Sequence, residues 1–259
     1  NLERFLAISI FNIHLLGRSQ VWMEFSENPK SKIQNLKLGQ LAAVVLDVKF
    51  EPLPFEEAID FFRSKTNLTP GQFERLSTAA RQKAFTIAGG ATRQARQSIK
   101  DLLGEAMEDG LTLREFQAQA NDILDRAGLS ARTPWYWETV YRTNLGESYE
   151  VGRWKQITDP DVASAFPYLR YIHIDPTGPS PPNRANHQAQ HGKIYPIDDP
   201  YWDIWAPKNG FNCRCTTMSV SESMLSREKD NPAWKFKPRR TGLKPDTGWS
   251  GNPGKVDDI

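Results

Sequence analysis

The chain has 259 residues, a formal net charge of +2 at pH 7, 25% charged residues and 39% hydrophobic residues. These values are typical of a globular protein with one large or two modest domains, and they argue against a largely disordered chain. The apolar stretches fall short of the roughly 20 consecutive apolar residues that a transmembrane helix needs, so no membrane-spanning segment is predicted.

The start of the chain and its cysteines indicate the compartment in which it folds. Residue 1 is Asn, and no basic segment followed by an apolar segment precedes the first predicted helix. We therefore predict no secretion signal and expect further sequence upstream. The two cysteines, Cys213 and Cys215, are separated by one residue. Such a pair does not stabilise a secreted fold, and it is typical of a protein that folds in a reducing cytoplasm.

Helical signals dominate the first 155 residues. Thr69 and Gln72 form a predicted capping box around a proline, and apolar residues then recur at helical spacing as far as Ile87. Gly89-Gly90 is expected to interrupt this helix. Further helices are predicted over residues 2–25, 55–63 and 91–110.

Two more helices are predicted before the pattern changes. Residues 112–115 form a second capping box, which is expected to open a helix that ends at Gly128. Residues 133–157 follow with a proline at the first helical position and an apolar side. Within them, Glu138 and Arg142 lie one turn apart and are predicted to form a surface ion pair.

Strand signals appear in the second half. Residues 168–174 alternate in polarity and are rich in aromatic and β-branched side chains, which is typical of a strand. Residues 193–195 and 214–220 are the other strand candidates, and the prolines between 176 and 182 require a loop. Residues 226–259 are rich in Pro, Gly, Lys and Asp, so we predict an extended tail that wraps a partner or stays mobile.

Together these patterns predict an α+β fold that is predominantly α. The helical part comes first, and a short antiparallel sheet follows it. The predicted regions are a helical region over 1–130, a small α+β module over 131–225, and a basic, Pro/Gly-rich tail over 226–259.

A histidine and cysteine cluster is the strongest candidate for chemistry. His187 and His191 are four residues apart, so both rings would face one side of a helix. Cys213 and Cys215 are two apart, so both thiols would face one side of a strand. The four side chains predict a tetrahedral zinc site, and zinc is the one cofactor that we predict.

Two alternatives to zinc remain open at this point. A Cys213–Cys215 disulfide would close a tight, strained ring. In the other alternative, His187 hydrogen-bonds the backbone or a carboxylate while the cysteines pack as small buried hydrophobic groups. Gly192 opposes a helix through both histidines, and the cysteine spacing is tighter than the roughly two to four residues of most zinc sites.

A catalytic interpretation competes with a structural one. His and Asp side chains can activate water directly or through a metal, which would make the chain a metal-dependent hydrolase or a toxin-like module. The sequence shows no paired nucleophile and base and no phosphate-binding glycine loop, so we predict no catalytic residue and no enzymatic activity. The residues that could converge at one sheet edge are His173, Asp175, His187 and His191.

Two sets of side chains are candidate contact residues. The first set is a run of basic residues with no acid between 233 and 245, which could bind the phosphates of a nucleic acid. The second is a group of aromatic side chains, which would be either domain core or an anchor for a partner protein. The basic set is Lys235, Lys237, Arg239, Arg240 and Lys244, and the aromatic set is Tyr201, Trp202 and Trp205.

Several separated motifs resemble one known family when they are taken in order. The motifs are Pro54–Phe62, Ala84–Gly89, Thr139–Leu145, Gly152–Trp154, Pro167-Tyr168, His187 five residues before Gly192, Asp198–Pro200, Pro207, Asn209-Gly210 and Cys213–Cys215. In this order they resemble the Mu F-like, SPP1-type phage minor head proteins, also called phage head morphogenesis proteins. The resemblance covers roughly residues 54–225, and His191 departs from the pattern, so it inherits no family role.

The resemblance implies a structural role. A protein of this family is expected to be a minor head protein of a Mu-like tailed phage or prophage, without enzymatic activity. Its expected partners are the portal and capsid proteins, with packaged double-stranded DNA as a further candidate. Its expected location is the phage head, and the host cytoplasm during assembly.

Overall fold

The structure is a computed structural model that describes residues 54–175 and 184–258. The predicted helix over 2–25 lies outside the described residues, and so does most of the predicted proline-rich loop. From Phe55 onward the described residues belong to one compact unit. None of their helices is both long and apolar enough to cross a bilayer.

The first helices confirm part of the predicted pattern and correct another part. Helix α1 (Glu56–Ser64) is followed by the short strand β1 (Thr66–Asn67). The predicted continuous helix from Thr69 to Ile87 is wrong. The chain instead forms α2 (Pro70–Glu74), α3 (Thr78–Gln82) and strand β2 (Ala84–Phe85), which pairs in parallel with β1.

The break between α2 and α3 has a local cause. The Ser77 hydroxyl accepts a hydrogen bond from the backbone N–H of Ala80, so a second helix begins there. Phe85 is then buried in the core as part of a strand. The Thr69 and Gln72 capping box is present, as predicted, but it opens only the first of the two short helices.

The next three helices confirm the prediction closely. They are α4 (Arg93–Glu108), α5 (Leu113–Arg126) and α6 (Pro134–Ile157). Thr112 and Glu115 form the predicted capping box of α5. Gly128 follows α5 with a φ of 70°, a backbone conformation that glycine adopts without strain.

A helical core joins these elements. Helix α6 packs against α1, α4 and α5, so the core includes helices on both sides of residue 130. Gly152 lets α1 approach α6 closely, because a Cβ atom there would lie 2.9 Å from the backbone nitrogen of Ala58. The core consists of Ile59, Phe62, Phe85, Ile87, Ala91, Ala95, Ile99, Leu102, Leu103, Met107, Phe116, Ala120, Leu124, Trp137 and Leu145.

The second half forms the predicted small sheet and adds one strand to it. The short helix α7 (Pro160–Ala165) leads into strand β3 (Tyr168–Ile172), which pairs antiparallel with β4 (Lys193–Pro196) and with β5 (Thr216–Val220). Strand β6 (Lys235–Phe236) pairs in parallel with β4 and gives the strand order β5-β3-β4-β6. Short helices α8 (Ala185–Gln188), α9 (Trp202–Trp205) and α10 (Glu222–Glu228) connect the strands.

The described part of the tail packs on the domain itself, which corrects the prediction of a mobile or partner-wrapping arm. Strand β6 belongs to the tail, and a 3-10 helix (Pro253–Asp258) ends it. Arg240 forms an ion pair with Asp199 at 2.6 Å, and Lys255 forms one with Asp203 at 2.5 Å. Pairing with β4 gives the tail backbone hydrogen-bond partners that composition alone does not reveal.

Candidate functional site

Three described segments bring histidine and cysteine side chains to one end of the sheet. His173 follows directly after β3, and His187 lies in α8. Cys213 and Cys215 lie in the loop that enters β5, because β5 begins only at Thr216. The prediction that both cysteines lie on a strand is therefore wrong.

Hydrogen bonds to α6 fix the conformation of the cysteine loop. Asn212 has a φ of 55°, in the left-handed region that Asn tolerates better than most residues. Its backbone N–H donates to the Thr143 hydroxyl at 3.2 Å, and its side-chain amide donates to the Thr139 hydroxyl at 3.0 Å. The loop thus presents both thiols inward beside α8.

His187 lies between the two thiols. Its Nδ1 atom is 3.6 Å from the Cys213 sulfur and 3.8 Å from the Cys215 sulfur. The three ligand atoms lie within 4.8 Å of one another. All three residues are buried, with exposed fractions of 1% for His187, 7% for Cys213 and 1% for Cys215. Both cysteines are free thiols, so the structure does not contain the alternative disulfide.

His173 adds a second histidine to the cluster. Its Nδ1 atom is 3.3 Å from the Cys215 sulfur, and its Nε2 atom is 2.9 Å from an oxygen of Asp175. The Nε2 atom of His187 is likewise 3.2 Å from an oxygen of Asp246. When each Nε2–H donates to its carboxylate, each neutral ring turns the lone pair of Nδ1 towards the thiols.

His191 is not part of this cluster, which corrects the predicted ligand set. Helix α8 ends at Gln188, and Gly192 turns the chain with a φ of 80°, so His187 and His191 do not share a helical face. The Nδ1 atom of His191 accepts a hydrogen bond from the backbone N–H of His173 at 3.1 Å. Burial, followed by the charge of Arg170, lowers the pKa of His191 and favours this accepting form.

The two thiols have different electrostatic environments. A hydrogen bond from Cys215 lowers the pKa of Cys213, and the charge of Lys208 lowers it further. The hydrogen bond with Cys213, together with burial, raises the pKa of Cys215. One thiolate is thus stabilised inside the cluster, and thiolates are the form of cysteine that binds metals.

The space between these side chains is small. Its volume is about 20 Å³, which is enough for one water molecule or one ion. Pockets for organic ligands are larger, at about 300–1,000 Å³. The residues around the space are His173, Ile174, Arg184, His187, Asn212, Cys213, Arg214 and Cys215.

Asp246, a tail residue that the sequence did not single out, supports His187. Asp246 binds His187 and also pairs with Arg184 at 3.3 Å. Gly210 lies directly against Asp246 and Arg184, since a Cβ atom at Gly210 would collide with the side chains of both residues. The sequence feature that marks this contact is the Asn209-Gly210 motif, but its structural role cannot be recognised from the sequence alone. Nothing local connects Asp246 to α8, because 59 residues separate Asp246 from His187.

The aromatic candidates for a partner interface are buried, which corrects that prediction. Trp202 is 0% exposed and donates its indole N–H to the carbonyl of Pro196 at 2.8 Å. Trp205 packs edge-on against His187 with ring centroids 6.1 Å apart, and Tyr201 stacks on Tyr195. The three side chains belong to the core of the sheet layer and support the histidine and cysteine cluster.

The basic candidates lie on the surface. All five of Lys235, Lys237, Arg239, Arg240 and Lys244 are exposed. Arg240 is engaged by Asp199, and the Lys237 ammonium lies 5.2 Å from the centroid of the Phe236 ring. The predicted ion pair of Glu138 and Arg142 is present at 2.7 Å.

The fold and the site define a predominantly helical α+β protein with a buried histidine and cysteine centre. The family described as "Phage Mu protein F like protein" matches residues 97–218, which include the histidines and cysteines of the centre. The chain is similar to this Mu F-like family over these residues, in agreement with the resemblance of its motifs. No solved structure matches the chain.

Two relatives are similar to this chain over part of their length. The "Putative capsid assembly protein F" of Escherichia phage Mu is 26% identical over 248 residues, which cover 79% of this chain and 55% of that protein. The "Mu-like prophage FluMu F protein" of Haemophilus influenzae is 29% identical over 168 residues, which cover 60% of this chain and 39% of that protein. The chain thus spans about half or less of the length of these relatives.

Proposed function

We propose that the chain is a structural minor head protein that acts in head morphogenesis of a Mu-like tailed phage or prophage. The observation that carries this proposal is the similarity to the phage Mu relative named for capsid assembly, which extends over 79% of this chain. In this role the chain contacts the portal and capsid proteins. It is located in the phage head, and in the host cytoplasm during assembly.

We place the partner contacts on exposed apolar side chains, because Trp202 and Trp205 are buried. Trp135 is 59% exposed and Phe211 is 60% exposed. Both residues lie close to Thr139 of α6, because Asn212, which follows Phe211, donates to the Thr139 hydroxyl and Thr139 donates to the carbonyl of Trp135 at 2.9 Å. Exposed aromatic side chains of this kind are enriched at protein interfaces.

Co-purification tests the proposal. The tagged chain should retain portal or capsid proteins from cells in which the phage is produced. The Trp135→Ser/Phe211→Ser variant should retain less of them at an unchanged melting temperature, whereas Leu243→Ser, at another exposed apolar residue, should behave like the wild type. Recovery of no portal or capsid protein above an untagged control would contradict the proposal.

The competing proposal of a metal-dependent hydrolase or toxin-like module has less support. One hydrogen-bonded series of side chains has the residue types of a nucleophile, a base and an acid that orients the base. It consists of Cys215, His173 and Asp175. However, the Cys215 side chain is buried, and the space beside it has a volume of about 20 Å³. A substrate would need more room than the described residues leave there.

Packaged double-stranded DNA is a further proposed partner, through the exposed basic residues of the tail. Replacing all five basic tail residues with Gln should weaken binding to a DNA duplex. The slope of the logarithm of the binding constant against the logarithm of the salt concentration should become shallower by about 0.9 for each phosphate that the variant no longer neutralises. Arg114→Gln/Arg126→Gln, which removes exposed charges from α5, should leave the slope unchanged. Filter binding between 50 and 200 mM salt, a range of about fourfold, measures the slope, and equal slopes for the wild type and the tail variant would exclude this interaction.

A further inference from the structure

We propose that Cys213, Cys215, His187 and His173 bind one zinc ion, with His173 as the fourth ligand. This ligand set differs from the spacing-based prediction, because His191 binds the backbone of His173 instead. The proposal concerns the inside of the domain and does not depend on the identity of the proteins that the chain contacts.

Three of the distances between the donor atoms match those around a tetrahedral ion. Zinc binds thiolate sulfur at about 2.3 Å and imidazole nitrogen at about 2.0–2.1 Å, so neighbouring ligand atoms of a tetrahedron lie roughly 3.3–3.8 Å apart. The His187 nitrogen lies 3.6 and 3.8 Å from the two sulfur atoms. The His173 nitrogen lies 3.3 Å from the Cys215 sulfur. These three distances fall in the range that a bound ion requires. His173 lies outside the group of three residues whose ligand atoms are all within 4.8 Å of one another, so its ring would move towards the ion to complete the tetrahedron.

The outer nitrogen atoms of both histidines are held in the manner of metal ligands. His173 Nε2 lies 2.9 Å from Asp175, and His187 Nε2 lies 3.2 Å from Asp246. A carboxylate on the far nitrogen fixes the ring, selects the tautomer with a lone pair on Nδ1, and makes that nitrogen more basic. Any buried histidine needs a hydrogen-bond partner, but here the partner of each ring is a carboxylate on the nitrogen that faces away from the thiols, and this arrangement occurs twice.

The composition and burial of the centre favour zinc over harder cations. Two thiolates and two imidazoles are the donor set of structural zinc sites, whereas magnesium and calcium require oxygen ligands. The space between the side chains, about 20 Å³, holds a single ion. Burial of all three residues of the inner group keeps solvent from competing for the ion.

Such a centre would add a further link between chain segments that strand pairing and hydrogen bonds already connect. It would join the end of β3, helix α8 and the loop before β5, and through Asp246 it would fix the tail to the same point. Because the ligands come together only in the folded chain, zinc binding would contribute directly to folding. The centre would thus hold the sheet layer in the shape that it presents to partners.

Metal analysis of the purified full chain, prepared with zinc and then dialysed, tests the proposal. We expect one zinc per chain in the wild type and a loss of zinc in His173→Ala and in Cys215→Ser. His191→Gln is the matched control, since it removes the neighbouring imidazole and retains a side-chain acceptor for the His173 backbone N–H, and it should keep its zinc. In Asp175→Asn the zinc affinity should fall about 10–100-fold, as is typical when an outer carboxylate is lost.

A second measurement keeps the test valid if a ligand variant does not fold. Cobalt added to the metal-free wild type should produce the visible absorption of a tetrahedral thiolate site, and a chelator should expose both thiols to a thiol reagent. A wild-type chain that takes up neither zinc nor cobalt would overturn the proposal. Zinc retained in His173→Ala but lost in His191→Gln would overturn the assignment of the fourth ligand.

Discussion

Replacing Lys65 with Met should destabilise the domain by about 3–5 kcal/mol, the usual cost of removing one partner of a buried ion pair. Lys65 follows the end of α1, and its ammonium donates to the Glu147 carboxylate in α6. Both side chains are buried between the two helices. The variant would leave the Glu147 carboxylate buried without the ammonium, and α1 packs mainly against α6. Urea unfolding followed by circular dichroism measures the loss.

Two further variants control this prediction. Arg142→Met removes a partner from the more exposed pair with Glu138 on the same helix, and it should change the stability by less than about 1 kcal/mol. The double variant Lys65→Met/Glu147→Leu replaces both charges by apolar groups and should recover most of the lost stability. If Lys65→Met costs no more than Arg142→Met, the pair is not buried as described.

Replacing Trp202 with Ala should cost about 3–5 kcal/mol, as for other fully buried aromatic side chains. The side chain is completely buried, its indole N–H donates to the carbonyl of Pro196, and its ring packs edge-on against Tyr201. The substitution would open a cavity between α9 and the end of β4. Thermal unfolding of the purified variant, together with its yield in soluble form, measures the effect.

The same substitution at an exposed tryptophan provides the comparison. Trp135→Ala should change the stability by no more than about 0.5 kcal/mol, because this side chain is mostly exposed. The pair of variants separates core from interface, since a tryptophan that binds a partner affects binding and leaves folding intact. A stable Trp202→Ala chain that fails to bind partners would restore the interface interpretation of Trp202.

Local sequence signals predicted the helices well because their causes are local. The capping box of Thr112 and Glu115 and the glycine at 128 act within a few residues, and α5 begins and ends beside them. The prediction of a helix through 69–87 was wrong although its apolar spacing was correct. The cap at Ser77 and the burial of Phe85 in a strand outweighed the periodicity there.

The candidate site was predicted in part, since His187, Cys213 and Cys215 come together as expected. The predicted fourth ligand, His191, was wrong. The spacing of His187 and His191 implied one helix through both residues, but that helix ends at Gln188. His173 and Asp246 reach the site through strand pairing and tail packing, which are long-range contacts. The predicted strand that contains His173 had placed this residue among those that could converge at the sheet edge. Nothing in the spacing along the chain indicated Asp246, so sequence patterns alone could not identify it.

The burial of Tyr201, Trp202 and Trp205 shows a related limit. Aromatic residues are common both in cores and at interfaces, and the sequence does not distinguish the two environments. Helix α9 places them under the sheet layer, where Trp205 contacts His187 and Tyr171. The exposed Trp135 and Phe211 had no distinguishing sequence pattern, and their exposure became visible only in the structure.

The central claim is that this chain acts as a structural component of the phage head. Quantitative mass spectrometry of purified procapsids and mature heads tests it most directly. We expect to detect peptides of this chain in both particles, and we expect the chain to be present in few copies relative to the major capsid protein. Absence of the chain from both procapsids and mature heads, with the protein recovered only free in the cell extract, would contradict the account.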